Sequence, residues 1–268
     1  MRQGRHRVVK SEDQKDYVQS LERGLSVILA FSDHHPQLTL SEVAELTGLS
    51  RPTVRRLLLT LEQLGYVRCE ARQFSLTPHV LALGYAYLSS LNLTEVAQPF
   101  MEEVTKQTGH TCSLSALDGH DAVFLARVPA KQVMRTTLTT GTRLPAFATS
   151  MGRVLLAGLP EHQLEEVLAG IMLTPLTAHT VTELACLRKI LDDVRCRGWE
   201  IVDQQFEEGV RSLSAPVRDA GGRVIAALSM SVPARAYAME QIEEELLPVI
   251  AENAGEISKR LGARLERR

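Results

Sequence analysis

Cysteine is scarce: Cys69, Cys112, Cys186 and Cys196 are scattered through 268 residues without a CxxC pair. That usage speaks against a disulfide-stapled scaffold and fits a reducing cytoplasm, where the protein is expected to reside. No uncharged apolar run approaches the ~18 residues of a membrane span, so no membrane partner is expected. The basic start, Met1–Lys10, has no apolar segment behind it and is not expected to be a secretion signal. A surplus of one charge is also missing, since 30 Lys+Arg oppose 32 Asp+Glu. That balance argues against nucleic-acid binding only if charge is evenly spread. It is not: residues 1–80 carry 11 Lys+Arg against 9 Asp+Glu, and the remainder 19 against 23. Hydrophobic residues at 44% and charged residues at 23% are ordinary for a globular chain, which excludes collagen-like, coiled-coil and disordered classes. The length allows one large domain or two of about 150 residues.

Residues 1–15 are polar, without apolar periodicity, and are expected to be a mobile tail. Over Tyr17–Phe31, Val18, Leu21, Leu25 and Ile28 recur at helical spacing until His34, His35 and Pro36 break the pattern. Thr39-Leu40-Ser41-Glu42 is a capping box, in which hydroxyl and carboxylate each satisfy a free amide. The short helix it starts ends at Gly48. Ser50 then caps a third helix with Pro52 in its first turn, where a missing amide is harmless. Val54, Leu57, Leu58, Leu61 and Leu64 form its apolar stripe, and Gly65 stops it. Small Ala44 and the turn at Gly48 let two helices cross closely, as in a helix-turn-helix. Tyr66–Glu70 and Gln73–Leu76, around Ala71-Arg72, then read as two strands of a wing.

The outward arc of the third helix carries Arg51, Thr53, Arg55, Arg56 and Thr60, with Ser50 at its start and no acid between Arg51 and Leu61. Guanidinium groups contact phosphates or grip guanine bidentately, and threonine can read a base edge or a thymine methyl. Arg68 and Arg72 on the wing would add backbone or minor-groove contacts. Any one of these residues, alone, reads as a solvated surface position. Together with the cap, the turn and the wing they predict a duplex-DNA interface.

Pro78 opens a helix predicted to run to about Ser90, apolar nearly all round, as a linker or an ordinary core helix would be. From residue 93 the pattern is mixed. Helices are expected at Thr94–Gln107, Ser150–Gly158, Glu161–Leu168, Thr182–Arg197 and Met239–Leu265. Strands are expected at Thr111–Leu117, Ala122–Val128, Val133–Thr139, Trp199–Asp203, Leu213–Arg218 and Arg223–Val232. Hairpin-linked strands with segregated helices predict an α+β fold on an antiparallel sheet.

Catalytic patterns are thin. Ala148-Thr149-Ser150-Met151-Gly152 lacks the first glycine of a nucleophile elbow. A Ser-x-x-Lys pair would need lysine where Arg153 stands, and arginine holds its proton to a pKa above ~12. His162 and Asp203 have no spacing that brings them to Ser150. His110, Cys112 and His120 match no usual zinc pattern, so no metal is expected. Cys186 and Cys196 lie roughly 15 Å apart along one helix at 1.5 Å per residue, too far for a disulfide. There is no P-loop and no GxGxxG, and no cofactor is expected. What remains is a small-anion site. Ser150 begins a helix whose first amides, of Ser150, Met151 and Gly152, are free for a carboxylate. Asp203, Ser212, Ser229 and Ser231 are polar residues in or beside strands that otherwise read as buried, and Ser229 and Ser231 share a face.

Several stretches resemble the IclR family of bacterial regulators. They include Ser20-Leu21-Glu22-Arg23-Gly24-Leu25, Leu40-Ser41-Glu42-Val43-Ala44, Gly65-Tyr66-Val67 and Leu81-Ala82-Leu83-Gly84. Gly141-Thr142-Arg143-Leu144-Pro145, the run Ala148–Ala157 and Glu207-Glu208-Gly209-Val210-Arg211-Ser212 belong to the same likeness, which spans about residues 17–265. It implies a winged helix-turn-helix over 16–77, a linker helix over 78–92 and a GAF/profilin-like effector and oligomerisation domain over 93–268. It also implies dimers, often paired into tetramers on an operator. Leu88-Ser89-Ser90-Leu91, the stretch 147–153 and Val202-Asp203-Gln204-Gln205 are similar to the PcaR, PcaU and PobR branch. That branch implies control of aromatic catabolism by β-ketoadipate, protocatechuate or 4-hydroxybenzoate. It also implies a pocket at Ser150, Met151, Asp203, Ser212, Ser229 and Ser231. Ser212 departs from the cysteine of several relatives. Other readings are a sensor with a protein-partner output, or a serine hydrolase.

Overall fold

The three helices of the amino-terminal part are ordered by one small core of Val27, Phe31, Leu38, Val43, Val54, Leu58, Leu61, Val67 and Phe74. The computed structural model describes residues 17–32, 34–83, 93–130 and 138–263. It divides into two compact units, Met1–Tyr87 and Leu88–Arg268.

In the first unit, α1 spans Gln19–Leu29, α2 Leu40–Thr47 and α3 Arg51–Gln63. The capping box forms as the sequence implies. The Thr39 amide donates to Glu42 Oε2 at 2.7 Å, and the Glu42 amide to Thr39 Oγ1 at 3.4 Å. Those bonds from Thr39 hold the Glu42 carboxyl below its ordinary range. Gly48 closes α2 with a φ of 69°, where a side chain would be strained. Ser50 accepts the Thr53 amide at 3.4 Å and starts α3. Strands β2 (Val67–Glu70) and β3 (Gln73–Leu76) pair across Ala71 and Arg72, both at positive φ. A third strand, β1 (Leu38–Thr39), pairs with β3; two residues are too few to carry a period in sequence. The stripe read for α1 faces elsewhere than expected. Val27 is buried and Ile28 half-buried, whereas Leu21 and Leu25 are 62% and 46% exposed. After Pro78–Val80, a 3₁₀ turn, the start of the predicted linker helix is visible over residues 81–83; the rest of that expectation lies outside the described residues.

The second unit is built on a six-stranded antiparallel sheet in the order β6-β5-β4-β9-β8-β7. Its strands are β4 (Thr111–Asp118), β5 (Asp121–Val128), β6 (Arg143–Pro145), β7 (Glu200–Asp203), β8 (Val210–Arg218) and β9 (Val224–Pro233). One face carries Leu114, Leu213, Ala215, Leu228 and Met230 against α4 (Leu93–Thr108) and the carboxy-terminal helix. The other packs under α5 (Ser150–Ala157), α6 (Glu161–Gly170) and α7 (Leu184–Arg197), which supply Val154, Leu155, Leu156, Leu164, Leu187 and Leu191. This is the expected α+β arrangement. The strand expected at Val133–Thr139 falls mostly on 131–137, outside the described residues; among the described residues Arg143–Pro145, not expected as a strand, pairs with β5 at the sheet edge. The final helix is not continuous. It runs as Met239–Gln241, a π-helical turn Ile242–Leu246, and then α8 (Leu247–Arg260). Pro248 has no amide to offer the preceding turn, and a π-turn is one way a helix absorbs such a gap.

Candidate functional site

Burial sorts α3 into two arcs. Val54, Leu58 and Leu61 face the core, while Arg51, Arg55, Arg56 and Thr60 are exposed. None of the three arginines forms an ion pair with a described residue, so their donors are open to an anionic partner. Thr53 and Thr60 are less free than the sequence implies. The Thr53 hydroxyl shares a hydrogen bond with Ser50 Oγ at 2.9 Å, and Thr60 Oγ1 donates to the Arg56 carbonyl at 2.9 Å. On the wing, Arg72 stands at the exposed tip. Arg68 donates from Nε to Ser75 Oγ at 3.0 Å and lies 3.7 Å from Glu70, which offsets part of its charge.

A cavity of about 410 Å³ opens between α5 and the sheet. Strand register supplies its floor. Val202, Ser212, Ser231 and Thr111 lie opposite one another across β7, β8, β9 and β4. A second row runs from Ser229 through Ser113 to Arg127 on β5. Directly paired residues of neighbouring strands project from the same face, so both rows meet the cavity. Ser229 Oγ donates to the Ser113 carbonyl at 3.3 Å and touches Met151 Sδ at 3.9 Å. Ser150, Met151, Ser212, Ser229 and Ser231 all line this space.

Asp203 does not. Alternation along β7 turns Val202 inward and Asp203 away, where Arg211 Nε donates to it at 2.7 Å. That guanidinium holds the Asp203 carboxyl below its usual range. The helix begins at Ser150 as expected, but one of its three amides is not free: Thr149 precedes α5 as its cap, and its Oγ1 accepts the Gly152 amide at 3.2 Å. Only the amides of Ser150 and Met151 are then left at the first turn, where a helix offers no internal acceptor. Ser150 Oγ, on a residue 1% exposed, is buried with no partner among the described residues. His162 is exposed on α6 and makes no triad with it.

Two neighbours explain why α5 is held so firmly. A Cβ on Gly152 would come within 2.2 Å of Ala146 Cα, so only glycine lets the helix approach that turn. Arg153, 1% exposed, donates from Nε to the Phe147 carbonyl at 2.8 Å, from Nη1 to Glu200 at 2.9 Å, and from Nη2 to Gln205. Burial pulls its pKa down to about 10, below the sequence expectation yet still protonated near neutrality. The arginine at this motif is thus a strut joining α5 to β7. Sequence reading missed Thr111, Ser113, Thr149 and Arg127. The period-two hydroxyls Thr111 and Ser113 were a signal of the same kind as Ser229 and Ser231.

Known proteins share this two-part fold. Residues 20–70 match the IclR helix-turn-helix domain, and residues 85–259 match the C-terminal part of the bacterial transcriptional regulator IclR. The Pca regulon regulatory protein of Pseudomonas putida is 38% identical over 236 residues, covering 88% of this chain and 81% of that protein. The p-hydroxybenzoate hydroxylase transcriptional activator of Acinetobacter baylyi is 35% identical over 248 residues, covering 91% and 92%. A crystal structure of an IclR homologue from Microbacterium hydrocarbonoxydans, complexed with 4-hydroxybenzoate, aligns with a TM-score of 0.81 at 26% identity over 90% of this chain and 98% of that one. These relatives are regulators rather than enzymes. The chain belongs to the IclR family of bacterial transcriptional regulators, beside its Pca-type and p-hydroxybenzoate-type members.

Proposed function

We propose that this regulator binds a small aromatic or related carboxylate in the cavity beneath α5 and so controls genes of aromatic-acid catabolism, of the protocatechuate and β-ketoadipate type. The observation that carries the reading is the buried Ser150 hydroxyl, without a partner among the described residues, facing two rows of sheet hydroxyls. The ligand of the Microbacterium relative supports the same chemistry. Arg51, Thr53, Arg55 and Arg56 enter the major groove of an operator half-site, with Ser50 and Thr60 at the ends of the helix and Arg68 and Arg72 on the flanking backbone. Leu21, Leu25 and Leu29 leave an exposed apolar stripe on α1, extended by Val18 at its N-cap, which supports self-association into a dimer or tetramer. The regulator works in the cytoplasm, where both operator and metabolite are found.

The acid must bind two arrangements of the protein unequally to change operator affinity. The test is a gel shift on the DNA upstream of this chain's own gene, with 4-hydroxybenzoate, protocatechuate and β-ketoadipate added separately. A change in complex mobility or affinity with one acid is the expected result. A complex indifferent to all three would overturn the pathway assignment.

A further inference from the structure

The cavity lining contains one cationic side chain among its described residues, Arg127, and one anionic side chain, Glu207. Register places Arg127 opposite Ser113, in line with Ser229, on the face that looks toward the first turn of α5. Its Nη1 donates to the Leu138 carbonyl, which ties β5 to the stretch leading into β6. Its Nε is buried and meets no acceptor among the described residues. A buried charged donor left in that condition is costly and rare in native proteins. Nε and Nη2 together form an edge of the guanidinium that grips a carboxylate through two parallel hydrogen bonds. Of the three buried side-chain groups without a partner among the described residues, Ser150 Oγ also lines this space and Ser115 Oγ does not.

We propose that Arg127 is the specificity-determining residue of this cavity, its Nε–Nη2 edge pairing with the carboxylate of the bound acid. Ser150 and the first amides of α5 then receive the ligand's other polar group. The inference rests on the acid-binding reading above and names the residue that makes the cavity select an acid. The charge is recognised from the sheet, and the helix terminus reads the remaining hydroxyl or carbonyl. The ligand class is accordingly a small acid with a second polar function, of which hydroxybenzoates are the simplest.

Titration calorimetry on the full chain tests this, with 4-hydroxybenzoate, protocatechuate and β-ketoadipate each compared with its uncharged carboxamide. The wild-type chain is expected to bind at least one acid and to prefer it over the amide. Arg127→Gln should weaken that acid by about ten- to a hundred-fold, the range of a hydrogen bond to a charged group, and weaken the amide much less, so that the preference for the acid is lost. Arg127→Lys keeps the charge without the planar edge and should fall between. If Arg127→Gln binds the acid as tightly as wild type, the assignment is overturned while the acid-binding reading stands. Equal loss of acid and amide assigns Arg127 to holding Leu138 and overturns it as well. If no acid binds the wild-type chain, the acid-binding reading fails and this inference fails with it.

Discussion

A single hydroxyl illustrates how much a buried group constrains. Ser150 is almost fully enclosed, and its oxygen has no partner among the described residues. Ser150→Leu would fill the space beneath α5 with an apolar side chain. It is expected to abolish ligand binding by calorimetry while operator binding survives; unchanged ligand affinity would remove Ser150 from the site. Arg153 makes the opposite case, a charge whose every direction is satisfied. Arg153→Met should lower the free energy of urea unfolding by about 3–5 kcal/mol, because Glu200 loses a partner inside the core. A loss well under that range would show that Arg197, which also pairs with Glu200, carries the site alone. The sequence could not separate these roles. Thr149 and Ser150 are adjacent hydroxyls, and either could cap a helix. Val202 and Asp203 are adjacent in a strand, and only the strand's phase decides which enters the cavity. Polarity favoured Asp203, and alternation turned it outward.

At the level of elements, α3 was the most legible part of the chain. A capping box, a glycine turn, proline in the first turn and an acid-free run of arginines all depend on residues near one another in sequence. Arg55→Ala and Arg56→Ala are each expected to weaken operator binding. Each should also lower the slope of log affinity against log salt by about 1 if the arginine meets a phosphate. Ligand titration should not change. Operator affinity equal to wild type in both variants would take α3 out of the groove. The sheet was legible only in outline. Five of its six strands could be located from local patterning, but β4, which places Ser113 beside Arg127, sits next to β9 through a pairing more than a hundred residues apart in sequence. No local pattern reports that register, so half of the cavity floor was invisible. The stripe on α1 failed differently: periodicity identifies a helix and its apolar positions, but not whether a given position meets its own chain or another.

The whole molecule divides into two compact units with separate cores. The unit that holds the cavity should therefore melt as its own calorimetric transition. A bound acid should raise that transition, by about 2.7 kcal/mol of added stability at a hundred times its dissociation constant, and leave the amino-terminal transition in place. A single merged transition that shifts as one would show that the two units unfold as one. The near-neutral charge of the chain also reads differently at this scale. It averages an acidic carboxy-terminal part and an amino-terminal part whose positive charge is concentrated on one helix arc, with Arg68 and Arg72 on the wing beside it.

The hydroxyl rows under α5 have a consequence for how such a protein changes over time. Thr111, Ser113, Ser212, Ser229 and Ser231 are small side chains on strands whose pairing is held by backbone bonds and by an opposite face of leucine, methionine and alanine. Exchanging any of them for alanine, valine or cysteine alters the shape and polarity seen by a ligand without asking the backbone to move. The strut at Arg153 and the close approach at Gly152 stand apart from these positions. A randomised library restricted to the five floor residues should accordingly give folded regulators with shifted inducer preference at high frequency, whereas one that includes Gly152 or Arg153 should mostly give unfolded protein. On the proposed reading, inducer range in this architecture is a replaceable surface laid on a fixed frame.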